Sequence, residues 1–240
     1  MTIQATTMLP ATPQRTALVR LATPAPITQP VIVWVVDTGM PSSDAANTIT
    51  AISNANPAVA TAAAHGFANG DLIEIKSGWQ KINERIVRVA GSTAGAFNIE
   101  GISTTSTSDF PVGSATPASA RLISGWTQIS QILSFEMSGG DQQFATYSFL
   151  EEDFERQLPT VTSARSIKIG IADDPNLAGF QALKVLGGTK TNRALRVTLP
   201  NGSVLLYNGI VSFNETPTLQ KGNVMQVTAT FSLQGVPTRY

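Results

Sequence analysis

The run "VIVWVV", residues 31 to 36, is apolar and β-branched and ends in Asp37-Thr38-Gly39. An aspartic protease presents its catalytic carboxylate in this way. The chemistry needs two carboxylates close enough to share one proton. The chain holds a single Asp-Thr-Gly, so a second copy would have to supply the partner. A flexible flap and an apolar-Gly segment beneath the loop would also be needed, and "KVLGG" (184–188) fills that role only by giving up a helix. Met40-Pro41 follows where a small residue is usual. A strand that ends in a turn accounts for the same residues with common turn formers, and an aspartic protease through Asp37 stays an alternative reading.

The other reactive residue types are sparse. His65, in "AAAHGFANGD", is the only histidine, and the chain has no cysteine. No thiolate, disulfide or Cys/His zinc set is therefore available, and a structural or turn role fits His65. The cluster "EEDFER" sets four carboxylates, Glu151, Glu152, Asp153 and Glu155, around Phe154, with Arg156 closing it. Its spacing lacks the calcium-loop pattern. A solvated loop is one reading. The other is a contact between subunits, with Phe154 as anchor and the carboxylates pairing with Arg165 or Lys168 of a neighbour. "LGGTKTNR" (186–193) lacks phosphate-loop spacing and follows a helix pattern, so it reads as a helix C-cap. Trp34, Trp79 and Trp126 are scattered singly and read as core or edge residues rather than a sugar platform. No catalytic, cofactor or metal residue is assigned.

The totals narrow the function classes. With 240 residues, 42% hydrophobic, the chain can bury a substantial core. Only 13% is charged, and sixteen Lys+Arg balance sixteen Asp+Glu. That balance opposes tight nucleic-acid binding by phosphate neutralisation. A surface so poor in charge suits one covered by copies of itself. No run approaches the ~18 apolar residues of a membrane span, and the N-terminus does not read as a secretory signal. Residues 1–30 hold five prolines and many threonines, which predicts an extended arm.

The elements that must position these residues read mainly as β. After the strand at 31–36 and a turn-rich link, five short strand candidates follow from Ile49: "ITAISN", "AVATAAAH", "DLIEIKS", "ERIVRVAG" and "AFNIEG". Turn chemistry separates them, as in a small all-β unit. "STTSTSDFPVGSATPASA" (103–120) reads as a flexible linker. The small unit then lies between two linkers and is an insertion, residues 49–113, in a discontinuous domain of 31–48 and 114–240. In that larger domain "SGGD" (138–141) between two strand candidates signals a hairpin, and "EEDFERQLPTVTSA" reads as an acidic stretch running into a loop. "RSIKIGIA" alternates, with Ile167, Ile169 and Ile171 on one face. "DDPNLAGFQALKVLGG" predicts one helix, with Asp174 as N-cap, Pro175 at the first position and Gly187-Gly188 at the end. "LPNGS" turns a hairpin, and "NVMQVTATFSLQG" closes the domain with a second face that is neutral and uncharged. The fold class is mainly β: an antiparallel sandwich or barrel with one packed helix, plus the small inserted barrel.

Two segments carry a resemblance. The first is "GWTQISQILSFEMSGGDQQFATYSFLEEDFERQLPTVTSARSIKIGIADDP" with the helix, "LPNGSVLLYNGIVSF" and "VMQVTATFSLQGVPTRY", roughly residues 121–240. Its order of elements resembles the major tail-tube proteins of long-tailed, siphovirus-type bacteriophages. The second, "ITAISNANPAVATAAAHGFANGDLIEIKSG", resembles a small β-barrel module of phage structural proteins. Asn83-Glu84 stands where that module usually carries Asn-Gly. The resemblance implies a structural virion protein and no enzyme or cofactor. Subunits would close into rings, six-membered in that family, and rings would stack around a channel for phage DNA, which passes without sequence-specific binding. Partners would be copies of itself and the terminator, tape-measure and baseplate or tip proteins, with assembly in the host cytoplasm. The arm and the cluster Glu151, Glu152, Asp153, Phe154, Glu155 and Arg156 would be subunit or ring contacts. A fibre, baseplate or adhesin module that recognises a cell-surface glycan is the alternative.

Overall fold

A computed structural model describes residues 33–37, 46–219 and 221–240. The predicted arm, residues 1–30, and the turn at Thr38-Gly39 lie outside the described residues. The first strand, β1 (Val33–Asp37), is followed by seven short strands. These are β2 (Asn47–Ile49), β3 (Ala51–Ile52), β4 (Ala58–Thr61), β5 (Leu72–Lys76), β6 (Arg85–Ala90), β7 (Ala96–Ile99) and β8 (Ala118–Leu122). They form a sheet in the order β2-β8-β5-β6-β7-β4-β3, all antiparallel. It curls into a nearly closed barrel around Ile49, Ile73, Ile75, Trp79, Ile82, Val87, Phe97 and Ile99. Closure suits strands this short, because it leaves little free edge.

The stretch 103–120 is not a joint. Thr104 is buried, and its hydroxyl donates to the Ser53 carbonyl at 2.6 Å. Asn54 Nδ2 donates to the carbonyls of Thr104 and Phe110. Phe110 packs edge-on to Trp79 with ring centres 5.3 Å apart, and the indole N–H donates to the Pro111 carbonyl at 2.9 Å. The stretch ends in β8, between β2 and β5 in the barrel. Its Ser/Thr/Pro composition reads as a linker, but a few buried anchors hold it.

The second sheet takes β1, β9 (Trp126–Ile129), β10 (Ile132–Ser138) and β13 (Ser166–Ala172) with the later strands, while β11 (Gln142–Tyr147) and β12 (Arg156–Thr162) form a two-stranded sheet of their own. Helix α1 (Ala178–Thr189) precedes β14 (Asn192–Thr198), β15 (Val204–Thr218), β16 (Gln226–Leu233) and β17 (Thr238–Arg239). The order is β10-β13-β16-β15-β14-β1-β9, with β17 added beside β15. It curves into a half-barrel whose core is built from alternate residues: Ile167, Ile169 and Ile171 of β13, Leu195 and Val197 of β14, and Val227, Ala229 and Phe231 of β16. Phe180, Leu183 and Leu186 of α1 fill the same core. The hairpin at Pro200-Asn201-Gly202 forms as predicted, with Gly202 at φ +83°.

The helix bounds differ from the prediction. Asp174 caps an Asx turn, its carboxylate accepting from the Asn176 amide at 3.1 Å, and α1 starts only at Ala178. Gly187 and Gly188 lie inside the helix, which stops at Lys190 in a left-handed conformation. Gly187 is there for space: a Cβ on it would meet Phe213 Cβ at 2.9 Å. At the other end α1 lies equally close on β9, where a Cβ on Gly179 would meet the Gln128 carbonyl oxygen at 2.6 Å.

Candidate assembly surface

The cluster Glu151, Glu152, Asp153, Phe154, Glu155 and Arg156 sits at the tip of an arm. "SGGD" does not turn a hairpin between β10 and β11. Instead β10 pairs with β13, β11 pairs with β12, and the two pairs run end to end as one long antiparallel arm. Gly139 (φ +78°) and Gly140 (φ +91°) are a kink in it. Across the kink Gly140 N–H donates to the Ser163 carbonyl and Ser163 N–H to the Asp141 carbonyl. The "QLPTVT" stretch, expected as loop, is strand β12. Its Pro159, opposite Phe144, is tolerated because β12 has a single partner and a free side.

Every residue of β11 and β12 is exposed, although several are large and apolar. Phe144, Phe149, Leu150, Phe154, Leu158 and Val161 are each more than half exposed. Tyr147 and Phe149 stack edge-on at 5.6 Å. Within the tip, Arg156 forks onto the Glu152 carboxylate and lies 5.1 Å over the Phe154 ring. Glu152 thus has a partner within the chain in Arg156. Glu151, Asp153 and Glu155 are exposed.

The arm continues from the edge of the half-barrel. Among the described residues β10 pairs only with β13. Phe135 and Met137 stand opposite Ile169 and Ile167, on the core side of the sheet. The two isoleucines are fully buried, yet Phe135 and Met137 are 43% and 49% exposed. Met137, a core-facing side chain half in water, marks an edge with no further strand beside it among the described residues.

The opposite face of these strands is polar and nearly free of charge. Register places Glu136, Lys168, Thr230 and Ser212 in one row across β10, β13, β16 and β15, and Ser138, Ser166, Ser232 and Ile210 in the next. Ser138 and Ser166 share a hydrogen bond at 2.8 Å, and Gln226 Nε2 donates to Ser134 Oγ at 3.0 Å. Gln226 crosses the space above Gly170, which a Cβ would fill. The charged pair, Glu136 and Lys168, stands in direct opposition.

The remaining candidates fall elsewhere. Asp37 ends β1 opposite Trp126. His65 is buried in the barrel. Its Nε2–H donates to the Thr93 carbonyl at 2.7 Å, its Nδ1 accepts from the Phe67 amide at 3.0 Å, and Phe67 and Phe97 stack on its ring. With both nitrogens engaged, its role is structural. Trp79 is equally buried, so it offers no platform for a sugar ring. Among the described residues no three His, Asp or Glu gather as a metal site, and no helix is long and apolar enough to cross a membrane.

The chain is a mainly β protein with an exposed apolar arm beyond one sheet edge and a polar face beside it. A family model described as phage tail tube protein, TTP, matches residues 77–240, and the chain belongs to that family. The match begins just after β5 and takes in β6 to β8 with every later strand. A comparison with curated proteins gives no match. The chain is therefore a structural protein of the phage tail, one that assembles with copies of itself and with other tail proteins.

Proposed function

We propose that the chain is the major tube subunit of a long-tailed phage, closing head-to-tail into six-membered rings that stack around a DNA channel. The observation that carries this reading is the β10 edge, which pairs only with β13 among the described residues, continued by an arm whose Phe144, Phe149, Leu150 and Leu158 are more than half exposed. A repeated heterologous contact that closes gives a ring and removes every such edge. In this arrangement the Ser/Thr face of β10, β13, β16 and β15 lines the channel. Tight phosphate binding needs several clustered cations, and in these rows a single lysine, Lys168, stands opposite Glu136 among hydroxyls, so duplex DNA slides past. The tip residues Glu151 to Arg156 make contacts between subunits or rings, and residues 1–30 add to them. The barrel, which extends the predicted 49–113 to residues 47–122, is an inserted module on the outside of the tube. The terminator, tape-measure and baseplate or tip proteins meet the ends, and assembly takes place in the host cytoplasm before incorporation into the virion.

Electron microscopy of the purified protein tests this. Rings or tubes are expected. The variant Phe149→Ser/Leu150→Ser, altered only at exposed positions, is expected to keep its melting temperature and lose assembly. A wild-type protein that stays monomeric at all concentrations and salt conditions overturns the reading.

A further inference from the structure

The barrel and the half-barrel meet at a junction that neither strand order requires, and a short segment, Val236–Tyr240, lies within it. Its backbone belongs to the second sheet. Leu205 pairs with Arg239 and Leu206 with Thr238, and Val204 and Tyr240 exchange both N–H···O bonds at 2.9 Å. The side chains of Thr238 and Tyr240 reach the barrel. Arg85 Nε donates to Thr238 Oγ1 at 2.9 Å. Tyr240 Oη accepts from the Arg88 amide at 2.8 Å and donates to the Glu100 carbonyl at 3.1 Å. The Arg88 guanidinium lies 4.4 Å above the Tyr240 ring and forks onto the Glu100 carboxylate at 2.5 and 2.6 Å. Just ahead, Gly235 leaves no room for a Cβ against the Glu84 carbonyl.

Beside the segment, Asn208 of β15 also reaches the barrel, donating to Glu74 Oε1 at 2.8 Å and to the Glu84 carbonyl at 2.9 Å. The barrel core around Phe97 and the half-barrel core around Phe231 share no residue. Between them lies a small cluster in which Ile86, Ile123, Ala194 and Leu206 are buried and against which Tyr240 packs. A two-residue strand such as β17 does not persist alone. It is held because its two sides serve different sheets.

We infer that Val236–Tyr240 is a strap that helps to fix the barrel on the half-barrel, and that withdrawing it loosens this junction while each body stays folded. This does not depend on the tube reading, since it concerns a single chain. Amide hydrogen exchange on the full chain, on a chain stopped after Gly235 and on Tyr240→Phe tests it. Stopping after Gly235 removes the acceptors of the Arg88 and Val204 amides. Both should exchange roughly five- to tenfold faster, the worth of one net hydrogen bond. The ladders β13–β16 and β4–β7 should keep their protection. Tyr240→Phe should speed Arg88 alone, because the backbone pair at Val204 remains. Loss of protection through both ladders, or failure of the shortened chain to fold, would show one indivisible unit and overturn the proposal. So would an Arg88 amide unchanged in Tyr240→Phe.

Discussion

Asn208 is the side chain on which the barrel–sheet junction can be tested most sharply. It is 3% exposed on β15, and its Nδ2 gives one hydrogen to Glu74 Oε1 at 2.8 Å and the other to the Glu84 carbonyl at 2.9 Å. Glu74 is itself buried, with its second oxygen accepting from Arg121 Nε at 3.0 Å. Asn208→Ala leaves a buried carboxylate with one partner fewer and a carbonyl with its bond cut. A hydrogen bond to a charged group is worth about 1.5–3 kcal/mol and one to a neutral group about 0.5–1.5 kcal/mol. The variant should therefore lose about 2–4 kcal/mol, or roughly 5–15 °C in melting temperature for a chain of this size. Thermal and urea unfolding measure it. A double-mutant cycle with Glu74→Gln should return a coupling of about 1–2 kcal/mol, since the residues touch. A melting temperature within about 2 °C of wild type, or a cycle that sums to zero, refutes the idea that this amide holds the two bodies together.

Other expectations follow from single sites. Glu84 has φ +55°, a conformation that costs an L-residue about 1–2 kcal/mol. Allowing for the freedom glycine adds to the unfolded chain, Glu84→Gly should stabilise by about 0.5–1 kcal/mol, read as a rise in the urea midpoint. Arg88 holds the Glu100 carboxyl below the ordinary glutamate range, chiefly by its hydrogen bonds. This stabilisation is complete above the unfolded-state value and is lost as pH falls through the folded one. Burial pushes the Tyr240 phenol up, so its contribution is complete below the unfolded-state value and is lost as pH rises through the folded one. Stability measured against pH should fall at both extremes, with the acid arm flattened by Glu100→Gln and the alkaline arm by Tyr240→Phe; profiles unaltered by these changes refute the assignment. In assembled tubes Thr230→Cys should react with a small maleimide but not with one carried on a bulky polymer; equal labelling by both would put that face outside.

How much was legible in the sequence depended on whether a signal was local. Ile167, Ile169 and Ile171 alternate within one strand, and so do Val227, Ala229 and Phe231; periodicity alone places them in a core. "LPNGS" carries its turn in its own residues. The tip cluster Glu151 to Arg156 could be named from composition, but its place beyond an edge strand could not. Gly139-Gly140 has hairpin chemistry, and what makes it a kink is that the residues on either side pair elsewhere, Ser138 with Ser166 and Gln142 with Thr162. Gly187 shows the same limit. Its neighbours predict a helix end, and only the approach of Phe213 shows why the glycine belongs inside.

The junction was the least visible part, because its logic is spread across the chain. Asn208 reaches a residue 134 positions away, and Tyr240 one 152 away. Nothing near either residue marks it as a contact. Glu84 keeps the left-handed geometry that a glycine would supply. Its carbonyl accepts from Asn208, and Gly235 packs against that same oxygen. The strain of this turn is held by the neighbouring sheet, as local strain is where the surroundings over-determine it. A substitution at Glu84 therefore tests the turn, whereas one at Asn208 tests the junction that rests on it. If the docked barrel sustains the geometry, then Glu84→Gly should stabilise Asn208→Ala, where the turn is free to relax, by less than it stabilises the wild type, and a strictly additive pair would show that turn and junction are independent.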